Sequence, residues 1–274
     1  MDRREAILRE LNLYPQWKRR ESPLPVTAVE VPAADSAVQP EAPASITPRV
    51  STTARDAEIP VELREQAKTE TSGTPAVSPL SDVAGLDWPR LKQRVSACTI
   101  CKLRAGCTQT VFGVGDEHAD WLFVGEGPGA DEDALGEPFV GQAGRLLDNM
   151  LMAIKLKRGN NVYIANIVKC RPPGNRNPDA DEIASCLPYL QRQIELIQPS
   201  VIVALGKVAS NALLGRDATL ASLRGKLHDY RGIPLIVTYH PAYLLRSPSE
   251  KAKAWQDLCV AQNKMHESEQ PTEK

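Results

Sequence analysis

The sequence predicts an α/β protein, a three-layer α/β/α sandwich around a mostly parallel four-stranded sheet. Two observations carry this. Four short runs rich in Val and Ile, at 120–126, 162–168, 200–205 and 234–239, are apolar on both faces, as strands covered from both sides must be. Amphipathic segments at about 142–157, 180–197, 207–214 and 248–263 follow them in turn, the alternation that builds parallel sheets. A third observation places the chemistry. Gly, Asn, His and Cys cluster just after the apolar runs, and such sheets bind ligands at the carboxyl ends of their strands.

Along the chain, residues 1–20 come first. Ile7, Leu8, Leu11 and Leu13 among charges predict a short amphipathic helix, suited to docking on a protein partner. Residues 21–80 form a linker. Its stretch 22–79 holds nine prolines and no Phe, Tyr or Trp, so it cannot bury enough apolar area to offset the entropy of ordering and is expected to be disordered. The globular domain is expected over 81–264, with a polar tail at 265–274.

Composition excludes several classes. The formal net charge of −1 gives no global field for a polyanion, so any nucleic-acid site must be a local patch. The longest apolar runs, such as 200-SVIVALG-206, are too short to span a bilayer, and the opening segment MDRREAILRELNLYPQWKRR has no signal-peptide core. Six cysteines without an export signal point to a reducing compartment, the cytoplasm, where spaced cysteines bind metal more often than they form disulfides. No apolar oligomerisation stripe stands out, and a monomer is expected.

Cys98 and Cys101 form a CxxC; Cys170 and Cys186 lie far downstream. Four thiolates can hold zinc or an iron–sulfur cluster. Only one pair is compact, which favours a cluster over the paired knuckles of structural zinc. Cys107 competes as a ligand by proximity, and Cys259 reads as helix packing.

The loops carry the remaining candidates. In 125-GEGPGADED-133, glycines at 125, 127 and 129 let backbone amides approach a ligand. The loop matches no common phosphate fingerprint and leads into acidic residues, so a neutral planar ligand fits better. Phe139, among turn residues, can plug the core or serve as a stacking platform for a base. Asn166 interrupts an apolar strand; its amide can bond neighbouring backbone or match a pyrimidine edge. Lys169, Arg171 and Arg176 with two prolines make a stiff basic loop able to clamp phosphates. His240 ends a strand. Tyr243, Leu244, Leu245 and Arg246 after it mix apolar and basic character, as a turn that wedges into stacked bases would.

Together CxxC, GEGPGADED, GEPFVGQAG, VYIANIVKCRPPGNRNP, LRG and TYHPAYLLR resemble the family 4 uracil-DNA glycosylases, the iron–sulfur branch of that superfamily. The similarity runs in order over about residues 88–260. It implies an α/β/α sandwich, DNA repair by excision of uracil, and uracil-containing DNA as partner. It also implies a 4Fe–4S cluster on Cys98, Cys101, Cys170 and Cys186. By the resemblance, backbone at Gly125, Glu126 and Gly127 meets the uracil carbonyls, Glu132 crowds a thymine methyl, and Phe139 stacks. Asn166 then reads the polar edge, and His240 donates toward O2 as charge builds there. Better-known relatives carry an Asp where this chain has Gly127, which leaves Glu126 as the candidate for water activation by position. Covalently trapping relatives carry a His-containing insertion after the first cysteine of the second pair. Here 170-CRPPGNRNP-178 runs straight on, so hydrolysis is expected. The competing reading is a non-catalytic iron–sulfur DNA-binding module.

Overall fold

The computed structural model describes residues 83–269; the helix expected at 1–20, the linker at 21–80 and the last five residues lie outside them. The helices are α1 (Trp88–Ser96), α2 (Leu103–Gly106), α3 (Ala130–Leu135), α4 (Gln142–Ala153), α5 (Ala180–Ile197), α6 (Lys207–Leu214), α7 (Leu220–Leu223), α8 (Pro241–Arg246) and α9 (Lys251–Glu269). The strands are β1 (Val114–Gly115), β2 (Trp121–Gly125), β3 (Val162–Asn166), β4 (Val201–Leu205), β5 (Leu227–Tyr230) and β6 (Ile233–Thr238), in sheet order β1-β3-β2-β4-β6-β5.

The four expected strands form the parallel centre, β3-β2-β4-β6. The sheet has six strands rather than four, because β1 and β5 pair antiparallel on its two edges. Neither edge strand has an apolar run: β1 is two residues long and β5 is mostly exposed, so periodicity could not reveal them. The central strands alternate between two cores. Leu122, Val124, Tyr163, Ala165, Ile202 and Ala204 face one layer, with Leu91 and Val95 of α1 and Tyr189, Leu190 and Ile194 of α5. Trp121, Phe123, Val162, Ile164, Val201 and Val203 face the other, with Leu147 and Leu151 of α4 and Leu258, Ala261 and Met265 of α9. A period of two in every strand thus produces the three layers.

Helix ends follow local chemistry. Asp87 caps α1 by accepting from Arg90 N at 3.0 Å, with Pro89 in the first turn. Asp179 and Glu182 form a capping box on α5, Glu182 Oε2 accepting from Asp179 N at 2.7 Å. The last helix begins after a 3₁₀ turn at Pro248–Glu250 and runs to Glu269, so helix replaces the first half of the expected polar tail. Met265, buried one stripe position after Ala261, is the reason.

Chain order places a switch beside β2: the chain steps from β2 to β3 on one side, then crosses to β4 on the other. Gly125 at the end of β2 lies in register with Asn166 at the end of β3. The loops that leave these ends diverge and open a crevice.

Candidate active site

A cavity of about 380 Å³ occupies that crevice, lined among others by Glu126, Gly127, Glu132, Phe139, Asn166 and His240. Asn166 is 2 % exposed, and among the described residues its Oδ1 has no hydrogen-bond partner. An orphaned buried carbonyl costs about 1–3 kcal/mol, a cost that a donor reaching it from the cavity would relieve. Gly125 explains the packing here. A Cβ on it would strike Asn166 Oδ1 and come within 2.6 Å of the Phe139 ring.

Gly127 is equally constrained. A Cβ there would meet Val168 Cγ2 at 2.7 Å, so the slot that lacks an Asp has no free space on that side. Glu126 next to it has its carboxyl pushed above the usual range by burial. Glu132 holds two loops together. Its Oε1 accepts from Val140 N at 2.9 Å and Gly141 N at 3.1 Å, and its Oε2 from Gly129 N at 3.1 Å. A carboxylate committed to three amides forms a rigid wall of the cavity.

Phe139 is buried and takes a φ of +55°, rare for a bulky side chain. Its ring lies 5.4 Å from that of His240, tilted by 30°. His240 caps α8, with Pro241 at the first helical position. Its Nδ1 accepts from Ala242 N at 3.2 Å, which puts the ring proton of the neutral form on Nε2. Burial, aided by the charge of Arg246, pushes the imidazole down to about 4, so it is a neutral donor at ordinary pH.

Two of the expected DNA contacts are corrected by burial. Lys169 is 1 % exposed; its Nζ donates to Asn166 O at 2.9 Å and Gln193 Oε1 at 2.6 Å. It braces the Asn166 strand end from behind and cannot reach a phosphate. Burial lowers its amine to about 8. Leu244 is 1 % exposed and packs inward, while Leu245 is 41 % exposed. The turn is a helix, and its 3.6-residue period turns one leucine in and the next out. Arg176 borders the cavity, but both of its terminal nitrogens donate to Glu182, at 2.9 and 2.7 Å, which ties it to α5. Arg171 donates through Nε to Asn175 at 2.7 Å. Tyr243 and Arg246 are exposed at the cavity rim. Tyr243 stacks on Tyr239 at 5.1 Å, and Tyr239 in turn carries the Arg224 guanidinium at 4.3 Å. This ladder beneath α8 has no sequence signal except the LRG that contains Arg224.

The four cysteines Cys98, Cys101, Cys170 and Cys186 border one small cavity between α1 and α5, with Val95, Leu103 and Tyr189. Lys169 N donates to Cys186 Sγ at 3.2 Å, and burial pushes that thiol up to about 11. Burial also raises Cys170, and contact with Cys107 adds to it. Among the described residues, no three Cys, His, Asp or Glu side chains converge on a point that a single metal ion could fill. Cys107 and Cys259 are not among the residues that border the cavity. Lys102, next to Cys101, reaches Asp179 at 2.8 Å and Glu182 at 3.6 Å and so ties the CxxC segment to α5. Asp133, missed in the sequence because it reads as a surface helix residue, is 5 % exposed and accepts from Thr108 N and Oγ1 at 2.9 Å. It fixes the segment after Cys107 to α3.

Comparison with known proteins finds a match to the uracil DNA glycosylase superfamily over residues 112–259. A type-4 uracil-DNA glycosylase of Archaeoglobus fulgidus is 43 % identical over 164 residues, 57 % of this chain and 82 % of that protein. One of Thermotoga maritima is 44 % identical over 165 residues, 60 % of this chain and 85 % of its own. One of Pyrobaculum aerophilum is 40 % identical over 183 residues, covering 64 % and 93 %.

Proposed function

The chain belongs to the uracil-DNA glycosylase superfamily, in its type-4 branch, and from that premise we propose that it flips uracil out of DNA and hydrolyses the N-glycosidic bond, leaving an abasic site. The observation that carries this reading is the Oδ1 of Asn166, buried at the strand end beside Phe139 and without a partner among the described residues. Uracil presents N3–H to such an acceptor and O4 to the amide's own N–H. Cytosine presents an acceptor at N3 and would set two lone pairs against each other.

The target atom, C1′, is inaccessible in stacked DNA, so the nucleotide must leave the stack. Phe139 then stacks on the base and Asn166 holds its edge. As the C1′–N1 bond breaks, the electron pair goes to the base, which becomes a uracil anion, and the sugar takes oxocarbenium character. His240 Nε2–H donates to O2, where that charge develops. A preorganised neutral donor in a water-poor site is worth about 10²–10³ in rate. Water adds to C1′ and loses a proton; in this reading Glu126, a cavity-lining carboxyl not committed to backbone amides as Glu132 is, receives it. Leu245, Tyr243 and Arg246 on α8 form the DNA-facing rim. Leu245 takes the wedge role and Arg246 meets phosphate.

Cys98, Cys101, Cys170 and Cys186 would hold a 4Fe–4S cluster. Support comes from four thiols on one apolar cavity, one of them already accepting a backbone N–H. The cluster's part is structural: it joins the CxxC segment to the loop that begins four residues after Asn166. Thiols with this role need a reducing setting, and we place the protein in the cytoplasm. No described helix is long and apolar enough to cross a membrane.

The test is incubation with uracil-containing single- and double-stranded DNA followed by alkali. Strand breaks at uracil are expected; their absence would reduce the protein to a DNA-binding module. Anaerobically purified protein is expected to contain iron and acid-labile sulfide in about a 1:1 ratio, and stoichiometric zinc without iron would overturn the cluster.

A further inference from the structure

Phe139 is held in an unfavourable backbone conformation, and one side chain outside the cavity holds it there. At a φ of +55° its Cβ crowds its own backbone, a strain that persists only where surroundings over-determine it. Arg158 supplies that determination. Its Nη1 donates to Pro138 O at 2.8 Å and its Nη2 to Phe139 O at 2.7 Å, so one guanidinium clamps two successive carbonyls. Its Nε donates to Asp148 on α4 at 3.0 Å, which aims the fork. The turn that carries Arg158 is itself fixed: Asn160 N bonds Lys157 O at 3.1 Å, and Asn161 bonds Asp120 through both side-chain atoms. Gly144 completes the seat, because a Cβ there would collide with the Phe139 carbonyl.

We propose that Arg158 is a positioning residue for base recognition. By clamping the carbonyls of Pro138 and Phe139 it keeps the Phe139 ring against Gly125, where it forms one wall of the base pocket. This rests on the reading that the pocket receives uracil. Arg158 does not border the cavity, so its effect must pass through Phe139. A lysine cannot replace it, because an ammonium is a point donor and the two carbonyls need a planar fork.

The experiment is a double-mutant cycle on single-turnover uracil release, with Arg158→Ala, Arg158→Lys, Phe139→Ala and the corresponding double variants. Arg158→Ala is expected to slow release about 10- to 100-fold, the scale of a misplaced positioning group. DNA affinity should stay within about twofold, and Arg158→Lys should recover little. In the Phe139→Ala background the same Arg158 changes should cost less than about twofold. If Arg158→Ala does not fold by circular dichroism, the lysine variant carries the cycle. Wild-type rates in a folded Arg158 variant, or an equal loss in the Phe139→Ala background, would overturn the proposal. A crystal structure of the Arg158 variant gives a readout independent of turnover. Phe139 should leave the left-handed region, and a ring still seated at positive φ would refute the clamp. If wild-type protein releases no uracil, the proposed function fails, and the crystal structure alone decides on Arg158.

Discussion

His240 should behave as a neutral donor whose removal costs rate and whose protonation costs stability. Burial and the charge of Arg246 take it from 6.5 down to about 4. The sign follows from linkage. A histidine with a depressed folded value binds more protons when unfolded, so its contribution is fully present above about pH 6.5 and is lost as pH falls toward 4. At about 1.4 kcal/mol per tenfold change in proton affinity, the ceiling is about 3 kcal/mol. One edge of the ring opens to the cavity and is screened by water, which reduces the expected loss to about 1–2 kcal/mol. Urea denaturation followed by tryptophan fluorescence at pH 4.5, 5.5 and 7.5 measures it, and His240→Gln should flatten the dependence. The rate should show no His240 limb between about pH 5.5 and 8.5, where the ring remains neutral. His240→Ala should slow single-turnover release about 10²–10³-fold at constant DNA affinity. A rate limb centred near pH 6.5 that disappears in His240→Gln would refute the neutral-donor argument. So would wild-type turnover in His240→Ala.

The two adjacent leucines of α8 should separate cleanly. Leu244→Ala should cost about 2–5 kcal/mol in urea unfolding, whereas Leu245→Ala should change stability by less than about 0.5 kcal/mol and slow release from duplex more than from single strands; the reverse pattern would restore Leu244 as the wedge. Glu182, with its carboxyl held near 2 by Arg176, stabilises the fold above about pH 4.5 and loses that contribution as pH falls toward 2. Arg176 and Lys102 are 37 % and 60 % exposed, so screening limits the effect to about 1–2 kcal/mol, read as a flatter acid-denaturation curve in Glu182→Gln. Lys169→Met should lower stability by about 2–4 kcal/mol, because Asn166 O and Gln193 Oε1 lose their buried donor. DNA affinity at equal folded fraction should not change, and a fall in affinity alone would return Lys169 to the DNA surface.

The four central strands were legible because each is apolar on both faces, and the helices between them because their stripes recur at 3.6 residues. The edge strands β1 and β5 were not, since a short or exposed edge has no run to detect. Chain order together with the strand-end rule placed Gly125, Glu126, Asn166 and His240 at one rim; Glu126, Asn166 and His240 line one cavity, and Gly125 packs against Asn166 and Phe139 at its edge. Residue type misled where burial decides. Lys169 reads as a basic loop residue, yet it is buried, with its amine between Asn166 O at the end of β3 and Gln193 of α5.

The sequence by itself determined the layers, the linear order of the loops and the chemical types at their tips, because periodicity and turn residues are local properties. Only the tertiary structure decided which way each side chain faces and what fixes it. Among the described residues it left Asn166 Oδ1 without a partner, and it set a Val168 methyl where a side chain at Gly127 would go. It turned Leu245 out and Leu244 in, and it drew Arg158, 19 residues away, onto the carbonyl of Phe139. Those outcomes depend on contacts between segments distant in the chain, and no local pattern encodes them.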